Sequence, residues 1–308
     1  MKRHKKAKLS NVQIIALGFF FMILAGTGLL MLPWATAVPG GASFSDAIFT
    51  ATSASCVTGL VLRDTGTYWS VFGQVVIIVL IQVGGLGFMT IATLFLMLLR
   101  RRLGLREREV VVDSISHYRL DGLVPFIRRI FLGTLLAEGT GAALLAIRFV
   151  PQFGWGRGIY YGVWHAVSAF CNAGFDILSF IPGNSSLSAF NGDPLVTLTI
   201  SMLIIIGSTG FVVFQDIYRK KISTRLHRQH VEKLSFHAQV CLRASLTLLV
   251  FGTVMLFILE YNNTYRDLNF FEKLNAAFFQ SVNTRTAGFA SVSIKQETDC
   301  LLYTSPRP

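Results

Sequence analysis

A short apolar run that ends at a glycine turn occurs three times in this chain and constrains its fold more than any other feature. The turn glycines are Gly59, Gly174 and Gly288, which follow one another at spacings of 115 and 114 residues. Each has an aromatic residue ten positions before it, a small residue just before it and a large apolar residue just after it. So regular a repeat indicates one structural unit that recurs along the chain.

The composition predicts that these units lie in a membrane. Hydrophobic residues make up 52% of the chain and charged residues only 14%, whereas soluble proteins carry about 25% charged residues. Most lysines and arginines fall in three clusters, at residues 1–13, 100–129 and 218–243. This alternation is typical of a multi-pass protein whose basic segments, including the N-terminus, face the cytoplasm. It also argues against nucleic-acid binding, despite the net charge of +12.

Hydropathy predicts the same order of elements in each repeat: an outgoing helix, a half-helix too short to cross the bilayer, the glycine turn and a returning helix. The expected helices of the first repeat cover residues 14–33, 43–54 and 71–99. Those of the second cover residues 130–149, 158–170 and 195–214, and those of the third cover residues 244–259 and 269–282.

The expected organisation is therefore two full repeats and an incomplete one. Repeat 1 covers residues 1–99, repeat 2 with its basic cytoplasmic connection covers 100–218, and the incomplete repeat 3 covers 219–292. Residues 293–308 form an atypical tail. The period places a fourth turn about 115 residues beyond Gly288. We hypothesise that the reading frame is truncated and that the last nine or so residues are not native.

The repeated turns themselves predict an ion pore. Non-helical backbone within a membrane must be buried in protein or line a watery cavity, so three equivalent turns most simply converge on one axis. A half-helix that stops in mid-membrane directs its partially negative C-terminal end at that axis, which favours a cation. The carbonyl groups of each turn can then replace the water shell of the ion.

Residues 53–60, 83–88, 169–175 and 281–289 together resemble the Ktr/Trk/HKT superfamily of potassium transporters, most closely the Ktr-type membrane subunit. The resemblance implies an all-α integral membrane fold of repeated helix–pore-helix–helix units, three of an expected four, around a pseudo-fourfold pore. It also implies potassium uptake across the bacterial plasma membrane.

In that family the turns form a potassium filter, and the resemblance carries the filter over to three strands. Gly59 stands where sodium-transporting relatives have serine, which implies a preference for K⁺. No other metal is expected. The implied filter residues are Val57, Thr58 and Gly59 in the first strand, Asn172, Ala173 and Gly174 in the second, and Thr286, Ala287 and Gly288 in the third.

The resemblance further implies partners. It predicts a homodimer in the lipid bilayer, docked on a cytosolic nucleotide-binding ring that faces the basic segments at residues 100–122 and 219–236. No covalently bound cofactor is implied, and Na⁺ is allowed as an activator. The gating loop that the family carries in its third returning helix has no counterpart in this sequence.

Several further residues have two interpretations each. The glycines of the returning helices are gating hinges or, more commonly, sites of close helix packing; they are Gly84, Gly85, Gly87, Gly207 and Gly210. Asp64 and Asp176 concentrate cations at the pore mouth or cap loops. Glu138 is a functional intramembrane carboxylate or a structural pair with a neighbouring helix.

The remaining polar residues near the turns have a favoured interpretation. We expect His165 to be a hydrogen-bonded packing residue and Arg285 to point away from the pore. His165 and Ser168 share a helix face, but no supporting motif makes them a catalytic pair, so an intramembrane enzyme is the weakest alternative. A scaffold or receptor is the other alternative, and it would not require three matched turns.

Overall fold

The computed structural model describes residues 10–87, 90–91, 123–179, 186–190, 192–217, 234–266 and 268–289. These residues are helical with short connections and form no sheet, as the predicted all-α class requires. In the first repeat the helices are α1 (Asn11–Leu30), α2 (Phe44–Ser55), α3 (Thr65–Tyr68) and α4 (Val71–Leu86). The helices of the second repeat are α5 (Leu123–Phe153), α6 (Trp155–Phe170), α7 (Pro194–Ser208) and α8 (Phe211–Ile217). Those of the third repeat are α9 (Phe236–Glu260) and α10 (Phe270–Thr286).

Three of the described helices are long and apolar enough to cross a bilayer, namely α1, α5 and α9. Large apolar side chains face outward on them, for example Phe21, Leu136 and Leu246, each more than 60% exposed. Such a surface is unfavourable in water and suits contact with lipid chains. The outgoing helices of all three repeats are therefore the spanning elements, in agreement with the hydropathy pattern.

The half-helices are α2, α6 and α10, and capping groups stabilise the first turns of α2 and α10. The Ser43 hydroxyl accepts a hydrogen bond from the Asp46 amide at 3.1 Å, which satisfies one of the free N–H groups at the start of α2. Asp46 does not complete a reciprocal box but lies 3.4 Å from Arg63. In the third repeat, the Glu272 carboxylate accepts from the Asn269 amide at 2.9 Å. Polar groups thus anchor the N-terminal ends of α2 and α10, whereas α6 begins after Gly154 without a side-chain cap.

The core lies where the half-helices meet the returning helices. Small residues on α2, including Ala47, Ala51 and Ala54, are fully buried, as are Ala166 and Ala169 on α6. Small side chains let neighbouring helix backbones approach closely, which is how helices gain packing energy within a membrane. Helices α4 and α6 pack against each other, and so do α7 and α10, so each repeat is joined to the next.

The returning helices differ from the expectation, because both are broken. We expected continuous helices over residues 71–99 and 195–214, but α4 ends at Leu86 and α7 ends at Ser208. Gly87 and Gly210 have φ angles of 82° and 84°, a left-handed conformation that stops a right-handed helix. After Gly210 the chain turns by 90° into α8. Residues 92–99 lie outside the described part of the chain.

The outgoing helices are longer than hydropathy alone indicated. We expected them at residues 130–149 and 244–259, whereas α5 covers Leu123–Phe153 and α9 covers Phe236–Glu260. Arg128, Arg129 and Arg243 lie near the N-terminal ends of these helices. They are helical because a helix continues beyond its apolar stretch as long as its backbone hydrogen bonds are made. The basic connection at 100–122, most of that at 219–236 and the tail at 293–308 lie outside the described residues.

Candidate functional site

The three glycine turns lie side by side in succession. A Cβ atom built on Gly59 would lie 2.5 Å from the Ala173 carbonyl oxygen, and one built on Gly174 would lie 1.8 Å from the Ala287 carbonyl oxygen. Both distances are far below any real contact, so the backbones touch only because the glycines lack a side chain. The first turn therefore meets the second, and the second meets the third, as neighbouring strands around a common axis would.

The first two turns have the same backbone geometry. Val57 and Asn172, two residues before the glycine, have φ angles of 55° and 58°. The Thr58 amide donates to the Ser53 carbonyl at 2.9 Å, and the Ala173 amide donates to the Ser168 carbonyl at 2.8 Å. A left-handed residue followed by an amide that reaches back five positions is the Schellman ending of a helix.

In these turns the carbonyl groups are left available. Among the described residues, no backbone amide donates to the carbonyl oxygen of Thr58, Gly59, Ala173 or Gly174. An unpaired carbonyl needs a partner when it is shielded from water, and a dehydrated cation can be that partner. The arrangement can therefore supply oxygen ligands from two adjacent strands.

The third turn differs. Helix α10 continues to Thr286, and the Ala287 amide donates to the Asn283 carbonyl at 3.2 Å in the regular helical pattern. Gly288, with a φ angle of 71°, is then the left-handed residue that ends the helix. The turn glycine thus ends the third helix. In the first two repeats the turn glycine also has a positive φ angle, 77° at Gly59 and 68° at Gly174, but a left-handed residue two positions earlier has already ended the helix.

The glycines of the returning helices hold the ends of the half-helices. A Cβ atom on Gly84 would lie 2.1 Å from the Ser55 carbonyl oxygen, and one on Gly207 would lie 1.8 Å from the Phe170 carbonyl oxygen. Ser55 and Phe170 both precede their turn glycine by four residues. These glycines thus permit close packing at equivalent points, whereas Gly87 and Gly210 break the helices.

A polar chain connects the first repeat to the second turn. The side-chain Nε2 of Gln82 on α4 donates to the Glu138 carboxylate at 3.3 Å, and the Cys171 thiol lies 3.7 Å from the side-chain Oε1 of Gln82. Gly85 packs directly on Cys171, since a Cβ there would lie 2.6 Å from the sulfur. Glu138, for which two roles were open, is thus paired with a neighbouring helix.

The acidic residues beyond the turns cap the loops in which they lie. Asp64 accepts hydrogen bonds from the Gly66 and Thr67 amides at 2.8 and 2.9 Å at the start of α3. Asp176 accepts from the Leu178 amide at 2.9 Å. Its Oδ1 atom also lies 2.7 Å from Nε2 of the buried His165.

His165 and Arg285 are both held by hydrogen bonds. Nδ1 of His165 lies 2.7 Å from the Tyr161 carbonyl oxygen, and its ring packs against Phe149. No group of histidine, cysteine or carboxylate side chains suited to a metal ion occurs within the described residues. Arg285 donates to the Ser245 carbonyl on α9, so its guanidinium is directed at the outgoing helix of its own repeat.

Sequence reasoning missed the two contacts that tie the second turn to its surroundings, namely those of Cys171 with Gln82 and of Asp176 with His165. The only signal for the first was an amide in an apolar helix, Gln82. For the second, the sequence predicts that His165 is hydrogen-bonded, but it does not identify Asp176 as the partner.

Helices that span a membrane, half-helices that stop inside it and glycine turns that meet one another define an integral membrane protein of the pore-helix class. The sequence matches the TrkH family of cation transport proteins over residues 10–304. The chain belongs to this family, and the resemblance inferred from the turns is confirmed. A family of cation transporters also decides against the intramembrane-enzyme alternative.

Individual relatives agree with this assignment. The chain is 42% identical over 290 residues to Ktr system potassium uptake protein B of Bacillus subtilis, covering 94% of this chain and 62% of that protein. It is 38% identical over 297 residues to potassium/sodium uptake protein NtpJ of Enterococcus hirae, covering 96% and 63%. The chain therefore spans somewhat less than two thirds of the length of these relatives.

The fold is also similar to a solved structure. The crystal structure of the potassium transporter TrkH from Vibrio parahaemolyticus matches with a TM-score of 0.61 at 17% identity, covering 94% of this chain and 54% of that one. At this identity the match concerns the fold alone. It agrees with the all-α membrane architecture described above.

Proposed function

We propose that this chain takes up potassium across the plasma membrane as the translocating subunit of a Ktr-type system. The observation that carries the proposal is the succession of turns, in which Gly59 faces the Ala173 carbonyl and Gly174 faces the Ala287 carbonyl. Relatives named as potassium uptake proteins at 38–42% identity support the choice of ion.

The proposed ligands are backbone oxygens. Carbonyls of residues 57–59, 172–174 and 286–288 would replace the water shell of K⁺, and the C-terminal ends of α2, α6 and α10 would add a favourable negative potential. The cost of removing K⁺ from water is offset only if these oxygens are already in place. The tight contacts at Gly59 and Gly174 provide such preorganisation.

The proposed assembly follows the family. We infer a homodimer in the bilayer that docks on a cytosolic nucleotide-binding ring through the basic segments at residues 100–122 and 219–236. The N-terminus would lie in the cytoplasm, since positive residues cluster there and in both connections. Na⁺ would act, if at all, as an activator, which is in keeping with the potassium/sodium uptake relative.

Rubidium uptake by potassium-depleted cells tests this proposal. Cells that express the complete gene product containing this sequence should take up Rb⁺, and Na⁺ should compete poorly. The variant Gly59→Ser should lose discrimination against Na⁺, because the new side chain lies against the Ala173 carbonyl and disturbs the oxygen positions. A membrane scaffold or receptor would reach the membrane in equal amount and show no uptake above cells without the gene.

The matched control is Gly139→Ala. Gly139 lies on α5, and a Cβ there would meet no atom within 4 Å. This variant should keep wild-type uptake and discrimination. If Gly59→Ser and Gly139→Ala gave the same Na⁺ competition as the wild type, the filter assignment would be wrong.

A further inference from the structure

Two side chains of α6 hold the segment that leaves the second turn. The Ser168 hydroxyl donates to the Phe175 carbonyl at 2.8 Å. Nε2 of His165 lies 2.7 Å from Oδ1 of Asp176. His165 and Ser168 are three residues apart and therefore lie on one face of the helix. The half-helix thus contacts both residues that directly follow Gly174.

The contact between His165 and Asp176 is a buried hydrogen bond. Both ring nitrogens face oxygen atoms at 2.7 Å, one of Asp176 and one of the Tyr161 carbonyl. Both contacts can be hydrogen bonds at once, because the proton between Nε2 and Oδ1 can lie on either atom. The His165 side chain is 0% exposed and that of Asp176 is 9% exposed. Such a pair holds its geometry tightly, because a buried polar group that loses its partner is costly.

The other two repeats have no such pair. At the position of His165, nine residues before the turn glycine, they carry Thr50 and Phe279. At the position of Asp176, two residues after the glycine, they carry Val61 and Ala290. The pair therefore belongs to the second repeat and is not a general requirement of the fold.

His165 also borders the third turn. Its ring centroid lies 6.3 Å from that of Phe289, the residue that directly follows Gly288. The ring is thus enclosed by Phe149 of α5 on one side and by the exit of the third turn on another. A change at His165 would reach two adjacent strands of the proposed filter.

We propose that His165 and Asp176 are positioning residues that hold the second filter strand, residues 172–174, and thereby contribute to the discrimination between K⁺ and Na⁺. This inference rests on the proposed function. Na⁺ is smaller than K⁺, so carbonyl oxygens can coordinate it well only if they move inward. A strand fixed at its exit by the buried His165–Asp176 hydrogen bond and by the Ser168 hydroxyl resists that movement.

The test compares stability with selectivity in two variants. His165→Phe leaves Asp176 buried without its partner and should lower the thermal unfolding midpoint of the purified protein. The double variant His165→Phe/Asp176→Ala leaves no buried carboxyl group without its partner and should recover most of that stability. It installs the phenylalanine and alanine that the third repeat carries at these positions.

Selectivity should not recover with stability. In the complete gene product, the Na⁺ concentration that halves Rb⁺ uptake should fall about tenfold in both variants, the factor to which the loss of one buried hydrogen bond corresponds. Asp176→Asn keeps an acceptor oxygen for the Leu178 amide and should show a smaller loss. The control Gly139→Ala, where an added Cβ would meet no atom within 4 Å, should leave Na⁺ competition unchanged.

The outcomes distinguish a failure of this inference from a failure of the proposed function. If the double variant regained both stability and selectivity, the pair would have only a structural role and the inference would be overturned. Wild-type discrimination in every folded variant, beside normal Rb⁺ uptake, would overturn it while leaving the proposed function intact. If the wild type itself took up no Rb⁺, the proposed function would fail and this inference with it.

Discussion

The first two turns and the third turn have matching sequences but different backbones. In the first two, the half-helix ends at Ser55 or Phe170, and Val57 or Asn172 is the left-handed residue. In the third, α10 continues to Thr286. All three turn glycines have positive φ angles, but only in the third repeat does the glycine itself end the helix.

The difference shows that an aligned glycine need not have the same structural role in every repeat. A helix ends most easily where a glycine can be left-handed, and α10 does so. The first two helices end earlier, with Val57 and Asn172 left-handed. This conformation costs a residue such as Val57 roughly 1–2 kcal/mol, whereas asparagine tolerates it. Such strain persists only where the surroundings impose it. Here the surroundings include Gly84 and Gly207, which pack on the helix ends.

The largest expected effect comes from the contact between the two kinds of turn. Gly174→Ala would place a methyl group 1.8 Å from the Ala287 carbonyl oxygen, so the second and third strands must separate. Rb⁺ uptake should fall at least about a hundredfold, because the displaced carbonyl ligands should weaken ion binding by several kcal/mol. Gly59→Ala, at 2.5 Å from the Ala173 oxygen, should be less severe. Equal uptake in both variants and the wild type would contradict the adjacency of the turns.

An intermediate effect should follow from giving the second turn a residue of the third. The residue six positions before the turn glycine is Ser53 in the first repeat, Ser168 in the second and Val282 in the third. Ser168→Val removes the donor to the buried Phe175 carbonyl and should cost about 1–3 kcal/mol of stability.

The matched change in the first repeat should cost less. Ser53→Val removes a bond from the exposed Thr58 hydroxyl, which can turn to water, so we expect a loss below about 1 kcal/mol. Thermal unfolding of both purified variants measures the difference. A larger loss for Ser53→Val would mean that the first turn depends on its serine more than the second does.

The smallest effect concerns two equivalent thiols. Cys56 and Cys171 both precede their turn glycine by three residues, yet Cys56 is exposed and Cys171 is buried against Gly85. In this 308-residue chain without Cys241 and Cys300, a maleimide should label Cys56 at least about tenfold faster, since reactivity requires access to the thiolate. Single-cysteine variants measure the two rates. Similar rates would show that α4 does not cover the second turn as described.

Much of the architecture could be predicted from local signals. The three spanning helices followed from uninterrupted apolar length, and the start of α2 followed from Ser43 ahead of an apolar run. The nine proposed filter residues followed from the resemblance to the family, which the register of the glycines supports. Whether they bind K⁺ stays a prediction.

The ends of the helices could not be predicted, because they depend on partners distant in the sequence. Gly87 and Gly210 break the returning helices although the apolar pattern runs on. Helix α10 also ends two residues nearer to its turn glycine than α2 and α6 do. The hydropathy pattern does not predict this difference either.

The sequence by itself determined that three equivalent turns lie in a membrane, because periodicity and apolar length are properties of the chain alone. Only the tertiary structure decided which atoms meet: Gly59 with the second turn, Gly174 with the third, and His165 with Asp176. The physical reason is that these contacts join groups on different elements. Their distances are set by how closely glycine and alanine let the helices approach, and by the need of each buried polar group for a partner.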